Sequence, residues 1–177
     1  MSTDTVTRER TISWEDPLAT AAAVQGRTGL EFIRALMAGD VPPPPITLLM
    51  NMLPVEAEEG RAVFAGQPGE EFYNPIGVVH AGFVMTLADS ALGCAVQTTL
   101  PAGKGYTTLE TKVNMIRPIH ASTGRVLADA TVLHSGRTTA TAEVKVTAEE
   151  TGKLLAHGTT TCAVLDAPYD LGIVPKS

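Results

Sequence analysis

The sequence predicts an α+β domain in which a long antiparallel sheet wraps around one apolar helix. Three observations predict it. The segment after His80, AGFVMTLADSALGCAVQTT, reads as a long helix whose apolar residues Phe83, Val84, Met85, Leu87, Leu92 and Val96 are spread around its circumference. After it the chain is β in character to its end, in four segments separated by turns, the last three of them Thr/Val-rich. Before it, ITLLMNMLPVEAEEGRAVFAGQP reads as two strands joined by Glu58-Glu59-Gly60. A helix that is apolar nearly all round needs cover on most sides, and an antiparallel sheet with one apolar face supplies it.

In chain order, residues 1 to about 18 read as a polar lead-in. DPLATAAAVQGRTGLEFIRALMAGD is helical in parts: Leu30, Phe32, Ile33, Leu36 and Met37 recur at helical spacing, and Gly39 with Asp40 stops the run. Pro42 to Pro45 predicts an extended connector, because proline fixes φ and lacks a donor. Residues 1–45 thus form an N-terminal extension, a packing helix plus connector, and 46–177 the main domain. The strands after the helix are GYTTLETKVNMIRP, TGRVLADATVLHSG, RTTATAEVKVTAEETG and KLLAHGTTTCAVL. Alternation in the first runs through Leu109, Thr111, Val113 and Met115, and Gly136 and Gly152 mark later turns.

Composition limits the function. With 44 % hydrophobic and 18 % charged residues the 177-residue chain is globular and of one-domain size. A formal charge of −6, without a basic stripe, argues against nucleic acid as a partner. The polar N-terminus has no apolar signal core and no run spans a bilayer, so the expectation is a cytoplasmic protein without a membrane partner. Cys94 and Cys162 are two small buried residues or a single pair, not a disulfide framework.

The long helix carries a polar seam. Thr86, Asp89, Ser90, Gly93 and Gln97 fall at spacings of three and four and so share one face. Either the seam is solvated at a sheet edge, or it faces a subunit interface or ligand slot and Asp89 works there as base or nucleophile. A half-buried carboxylate commonly has a partner or a task. No Ser, Thr, Asp or Asn stands just before Ala81 and Gly82, which predicts an uncapped helix start. Free amides there can donate to a carbonyl oxygen that becomes anionic. Asp89 lies two turns further on, ~10 Å along the axis. That separation is awkward for one carbonyl within one chain and natural when two subunits share each site.

Other chemistries lack their patterns. His80, His120, His134 and His157 have no metal-ligand spacing, and no nucleophile elbow or glycine-rich phosphate loop is present. No metal is expected.

NPIGVVHAGFVMTLADSALG, residues 74–93, resembles the signature of the PaaI-type hotdog-fold acyl-CoA thioesterases: Asn, two residues, Gly, two residues, His-Gly-Gly, then Leu, one residue and Asp. NMIRP and HSGR resemble the family's pattern as well, and the resemblance covers residues 46–166. It implies a hotdog fold and hydrolysis of an acyl-CoA to a free acid and CoA. It also implies roles by position. Asp89 matches the helix carboxylate, nucleophile or general base. Asn74 matches the residue that orients thioester or water, and Thr108 a hydroxyl that holds water or carboxylate. His80 shapes the turn, and Ala81, beside Gly82, stands where the first glycine supplies the oxyanion-hole amide. Ala81 departs from the pattern, with a Cβ that is costly where φ is positive and harmless where the residue is helical.

Arg137 and Gly136 of the HSGR turn, with Arg117 and then Lys104 and Lys112 behind, are the expected landing for the CoA phosphates. No cofactor is implied, CoA being part of the substrate. The family places its site across a dimer interface, and a homotetramer, a dimer of dimers, is its expectation. The alternatives on the same fold are an acyl-CoA binding protein without turnover and an acyl-CoA hydratase using His80.

Overall fold

A computed structural model describes residues 6–166. The N-terminal extension holds two helices. In α1 (Pro17–Ala22), Asp16 accepts from the Leu18 N–H at 2.9 Å and proline opens the first turn. In α2 (Gly29–Ala38), Thr28 and Glu31 form a reciprocal capping box, and Gly39 ends the helix in the left-handed conformation at φ 80°. The extended connector stops one residue earlier than the proline run suggests. Pro45 is the first residue of a short helix, α3 (Pro45–Leu49), because proline at that position forfeits no intrahelical bond. Ile46 to Leu49, read from the sequence as strand, are therefore helical.

The sheet begins at Met52. β1 (Met52–Glu58) and β2 (Arg61–Gly66) form the expected hairpin, and Gly60 supplies the positive φ of its turn, 78°. A loop with one 3₁₀ turn (Glu70–Phe72) leads to the long helix α4 (Ala81–Thr98). Then come β3 (Lys104–Met115), β4 (Val126–Ser135), β5 (Thr139–Ala148) and β6 (Leu154–Asp166). All pairings are antiparallel, in the order β1-β2-β4-β5-β6-β3. This is the α+β architecture the sequence predicts, a six-stranded sheet curled round α4.

The alanine-rich composition explains how tightly it curls. Ala62, Ala128, Ala130, Ala140, Ala142 and Ala156 are buried on the inner face, and their short side chains let α4 lie close to the strands. Larger residues of the helix, Phe83, Leu87 and Leu92, fill the space that remains, each contributing about 1.5–3 kcal/mol by burial. Phe72 from the preceding loop stacks at a tilt on Phe83, centroids 4.9 Å apart.

Two features position the site. The first is the docking of α2 on the end of α4. The Gly29 N–H donates to the Leu100 carbonyl at 3.0 Å, and a Cβ at Gly29 would come within 1.7 Å of the Gln97 carbonyl oxygen. Only glycine permits that approach. The second is edge strand β3. Its pairing with β6 slips between Thr108 and Glu110, so Leu109 is an extra residue, a β-bulge. Leu109 points outward and is 62 % exposed, so it leaves the alternation expected through Leu109, Thr111 and Val113.

Candidate active site

The polar seam of α4 is not a solvated face. Gly93 and Gln97 are buried, Thr86, Asp89 and Ser90 are half-buried, and the Thr86 hydroxyl is spent on the Gly82 carbonyl at 2.8 Å. Asp89 faces β3. Thr111 Oγ1 donates to Asp89 Oδ1 at 2.9 Å and Thr108 Oγ1 to the same oxygen at 3.3 Å. In a regular strand, residues three apart point to opposite faces. The extra residue Leu109 restores the phase and brings both hydroxyls onto one carboxylate. Thr160 on β6 supports the pair: its hydroxyl donates to the Glu110 carbonyl at 2.7 Å and lies 3.2 Å from that of Thr111. Thr108 is thus where the sequence reading puts it. Thr111 was missed as a site residue, since nothing in TTLET marks which residue bulges.

The helix start differs from expectation. It is capped, by His80: the imidazole Nδ1 accepts from the Gly82 N–H at 2.8 Å. The Gly82 amide is therefore occupied, and His80 fixes the turn through a ring nitrogen instead of the hydroxyl or carboxylate usual at this place. The Ala81 amide stays open. At the first helical position it has no acceptor within the helix, and among the described residues it donates to nothing. Ala81 is helical and exposed, with no positive φ, so its methyl group carries no backbone strain. Just upstream, Asn74 organises the approach loop. Its Oδ1 accepts from the N–H groups of Ile76 at 3.1 Å and Val78 at 3.3 Å, and Gly77 takes a φ of 80°. Asn74 is a turn-former here, its carbonyl turned toward the loop.

A cavity of about 940 Å³ opens beside this seam. One wall is α4, through Asp89, Ser90, Cys94 and Gln97. The opposite wall is the N-terminal extension, through Phe32, Ile33 and Leu36 of α2 and the Val41–Pro44 connector. The packing helix anticipated from the sequence thus covers the site itself. Burial, and then the nearby Asp89 carboxylate, push the Cys94 thiol up to about 12. Cys162 is buried and also raised, by the same desolvation, and both cysteines are free.

The cations are not gathered at this cavity. Arg137 and Gly136 lie on the β4–β5 turn, where the Ser135 hydroxyl meets that of Thr99 at 2.9 Å, beyond the C-terminal end of α4. Arg137 is exposed and forms no ion pair among the described residues. Arg117 is exposed but engaged, its guanidinium donating to the Leu154 carbonyl. Lys104 pairs with Asp166. Among the described residues no group of three His, Cys, Asp or Glu side chains could hold a metal ion, and no helix is long and apolar enough to cross a membrane.

Comparison with known proteins agrees with this geometry. The family model of the Thioesterase superfamily matches residues 76–155, the span from the approach loop to the start of β6. The 1,4-dihydroxy-2-naphthoyl-CoA hydrolase of Listeria monocytogenes is 32 % identical over 110 residues, which cover 62 % of this chain and 87 % of that one. Human acyl-coenzyme A thioesterase 13 is 31 % identical over 104 residues, 59 % of this chain and 73 % of that one. Among solved structures, a variant of the phenylacetic acid degradation protein PaaI of Thermus thermophilus superposes with a TM-score of 0.60 at 33 % identity, over 67 % of this chain and 97 % of that one. With its curled sheet, its central helix and these relatives, the chain belongs to the thioesterase superfamily, as a PaaI-like member with the hotdog fold.

Proposed function

We propose that the protein hydrolyses an acyl-CoA thioester to a free carboxylic acid and coenzyme A. The observation that carries this reading is the Asp89 carboxylate at the wall of the cavity, oriented by two hydroxyls that converge on one of its oxygens. In the proposed reaction the thioester oxygen accepts from the open Ala81 N–H at the helix N-terminus, where the dipole favours developing negative charge. Asp89, through its other oxygen, takes a proton from a water that attacks the carbonyl. The carbon–sulfur bond then breaks, and the thiolate leaves as CoA after protonation. In the covalent variant Asp89 attacks first, the carbon–sulfur bond breaks and CoA leaves as the thiolate, and water then hydrolyses the resulting anhydride to the free acid and the restored carboxylate. CoA enters as part of the substrate and no separate cofactor takes part.

Ala81 and Asp89 stand eight residues apart on one helix, ~12 Å by helical rise, so a single chain does not bring them to one carbonyl. The proposed site therefore lies between two subunits, one giving the Ala81 amide and the other the Asp89 carboxylate. β3, twelve residues long, is an outermost strand of the sheet among the described residues, with Leu109 exposed upon it, and this supports pairing of this kind. In a shared site, Arg137 of either chain is free to meet the phosphates of CoA, with Gly136 keeping its turn and Arg117 at the strand end. The hydratase alternative loses ground, since His80 spends Nδ1 on its cap.

Release of free thiol from short, medium, long and aryl acyl-CoAs tests the proposal. Wild type is expected to release CoA from at least one class, with Asp89→Asn reduced by about 10²-fold or more. Binding of acyl-CoA without thiol release from any of them would replace hydrolysis with the binding reading.

A further inference from the structure

Gln97 is the one buried side chain with an orphaned polar atom among the described residues. It is 3 % exposed, it lines the cavity, and its Oε1 has no hydrogen-bond partner. The apolar residues Phe32, Ile33 and Leu36 make up part of the opposite wall. A buried amide oxygen left without a partner among such neighbours awaits a polar atom from outside the chain. Gln97 and Asp89 sit on the same cavity-facing side of α4, eight residues apart, which is ~12 Å by helical rise.

We propose that Gln97 is a specificity-determining residue that selects acyl groups carrying a hydroxyl at the end remote from the thioester. The inference rests on hydrolysis at Asp89, since Asp89 fixes where the thioester lies. From there the acyl chain runs along α4 between the helix and the N-terminal extension, and its far end meets the Gln97 amide. A hydroxyl suits that amide better than other polar ends. It donates to Oε1 and accepts from Nε2, so it fits either orientation of the amide. A carboxylate end accepts only, and an ammonium end donates only. The ~12 Å span, less a hydrogen bond of about 3 Å at either end, leaves about 6 Å, the reach of a saturated chain of about five or six carbons.

The test compares 6-hydroxyhexanoyl-CoA with hexanoyl-CoA on wild type and on Gln97→Met, which keeps the length of the side chain and removes its amide. Wild type is expected to favour the hydroxylated ester by about tenfold or more in kcat/KM, because a site built to pair a hydroxyl rejects its absence. Gln97→Met is expected to lose or invert that preference while folding with an unchanged or higher Tm, since an orphaned buried group is gone. The same two ligands are titrated calorimetrically into Asp89→Asn and into Asp89→Asn/Gln97→Met, where the tenfold preference should reappear as a ratio of Kd and vanish with Gln97. Equal handling of the two esters by wild type, or a preference that survives Gln97→Met, overturns the role of Gln97. No thiol release from either ester, with the Kd ratio intact, overturns hydrolysis and leaves the selection by Gln97 standing.

Discussion

Replacing Ala81 with proline deletes one hydrogen atom from the proposed chemistry and little else. Ala81 is the first residue of α4, where proline is favoured and its missing N–H breaks no intrahelical bond. The preceding residue, His80, already has φ −62° and ψ 140°, the extended conformation a following proline demands. Its cap on the Gly82 N–H is made from the other side of the turn and survives. The folded protein should therefore melt within a few degrees of wild type. The thioester oxygen, however, loses its amide donor, and removal of one such donor costs about 10²–10³ in kcat. The assay is thiol release on the best acyl-CoA, with circular dichroism to show that the helix is intact. A second arm tests the sharing of sites. Ala81→Pro and Asp89→Ala are each inactive alone. Co-refolded as randomly paired symmetric dimers, they leave one intact site in each mixed dimer, and about a quarter of wild-type activity should return. Folded Ala81→Pro with activity within a few-fold of wild type would refute the oxyanion role of that amide. Mixed dimers that form without recovering activity would place amide and carboxylate of each site in the same chain.

Thr111→Val removes the shorter of the two hydrogen bonds to Asp89 without changing side-chain shape. At about 1.5 kcal/mol, the low end for a charged partner because the carboxylate is half-buried, it should lower kcat roughly tenfold. Thr108→Val should cost less, its bond being 3.3 Å against 2.9 Å, and Thr111→Ser should restore most of the loss in steady-state kinetics. Cys94 should resist alkylation in the folded protein well into alkaline pH, because burial raises its thiol to about 12 from an ordinary value of 9.0. The sign for stability follows. Above about pH 9 the unfolded chain ionises this thiol while the folded one keeps its proton, so stability falls as pH rises toward 12. Cys94→Ala should flatten that part of the curve of Tm against pH.

The parts of this fold that could be read from the sequence are those where one period persists. Buried alanines and valines alternate along β4 and β5, and the four strands after the helix were legible from that alternation and from the glycine turns between them. The helix was legible because it is apolar on nearly every side, and Asp89 because it interrupts that pattern. What escaped was local irregularity and distance in sequence. Pro45 reads as a breaker but acts as a helix start. Histidine is not a usual capping residue, so the closed turn at His80 looked open. The bulge at Leu109 shifts the faces of β3 without a residue type that marks it, which hid Thr111. Gln97, with its orphaned amide oxygen, looked like one more polar residue on the seam. Its setting is fixed by α2, far earlier in the chain, where Gly29 lets one backbone lie on the other.

The extra residue in β3 lets the two faces of one strand change independently. Before Leu109 the even-numbered positions of the strand face the helix, Tyr106 and Thr108; beyond it the odd-numbered ones do, Thr111 and Val113. Parity is reversed within the strand, and Leu109 is where the reversal occurs. Deleting that single residue would leave Thr108 and Thr111 two positions apart in a regular strand, still on one face and both turned toward Asp89. What would go is the outward Leu109 and the local bend of the edge. A change of length at this point thus alters the outer surface of the strand and spares the inner one. Recognition on the outside can drift while the chemistry on the inside is inherited unchanged.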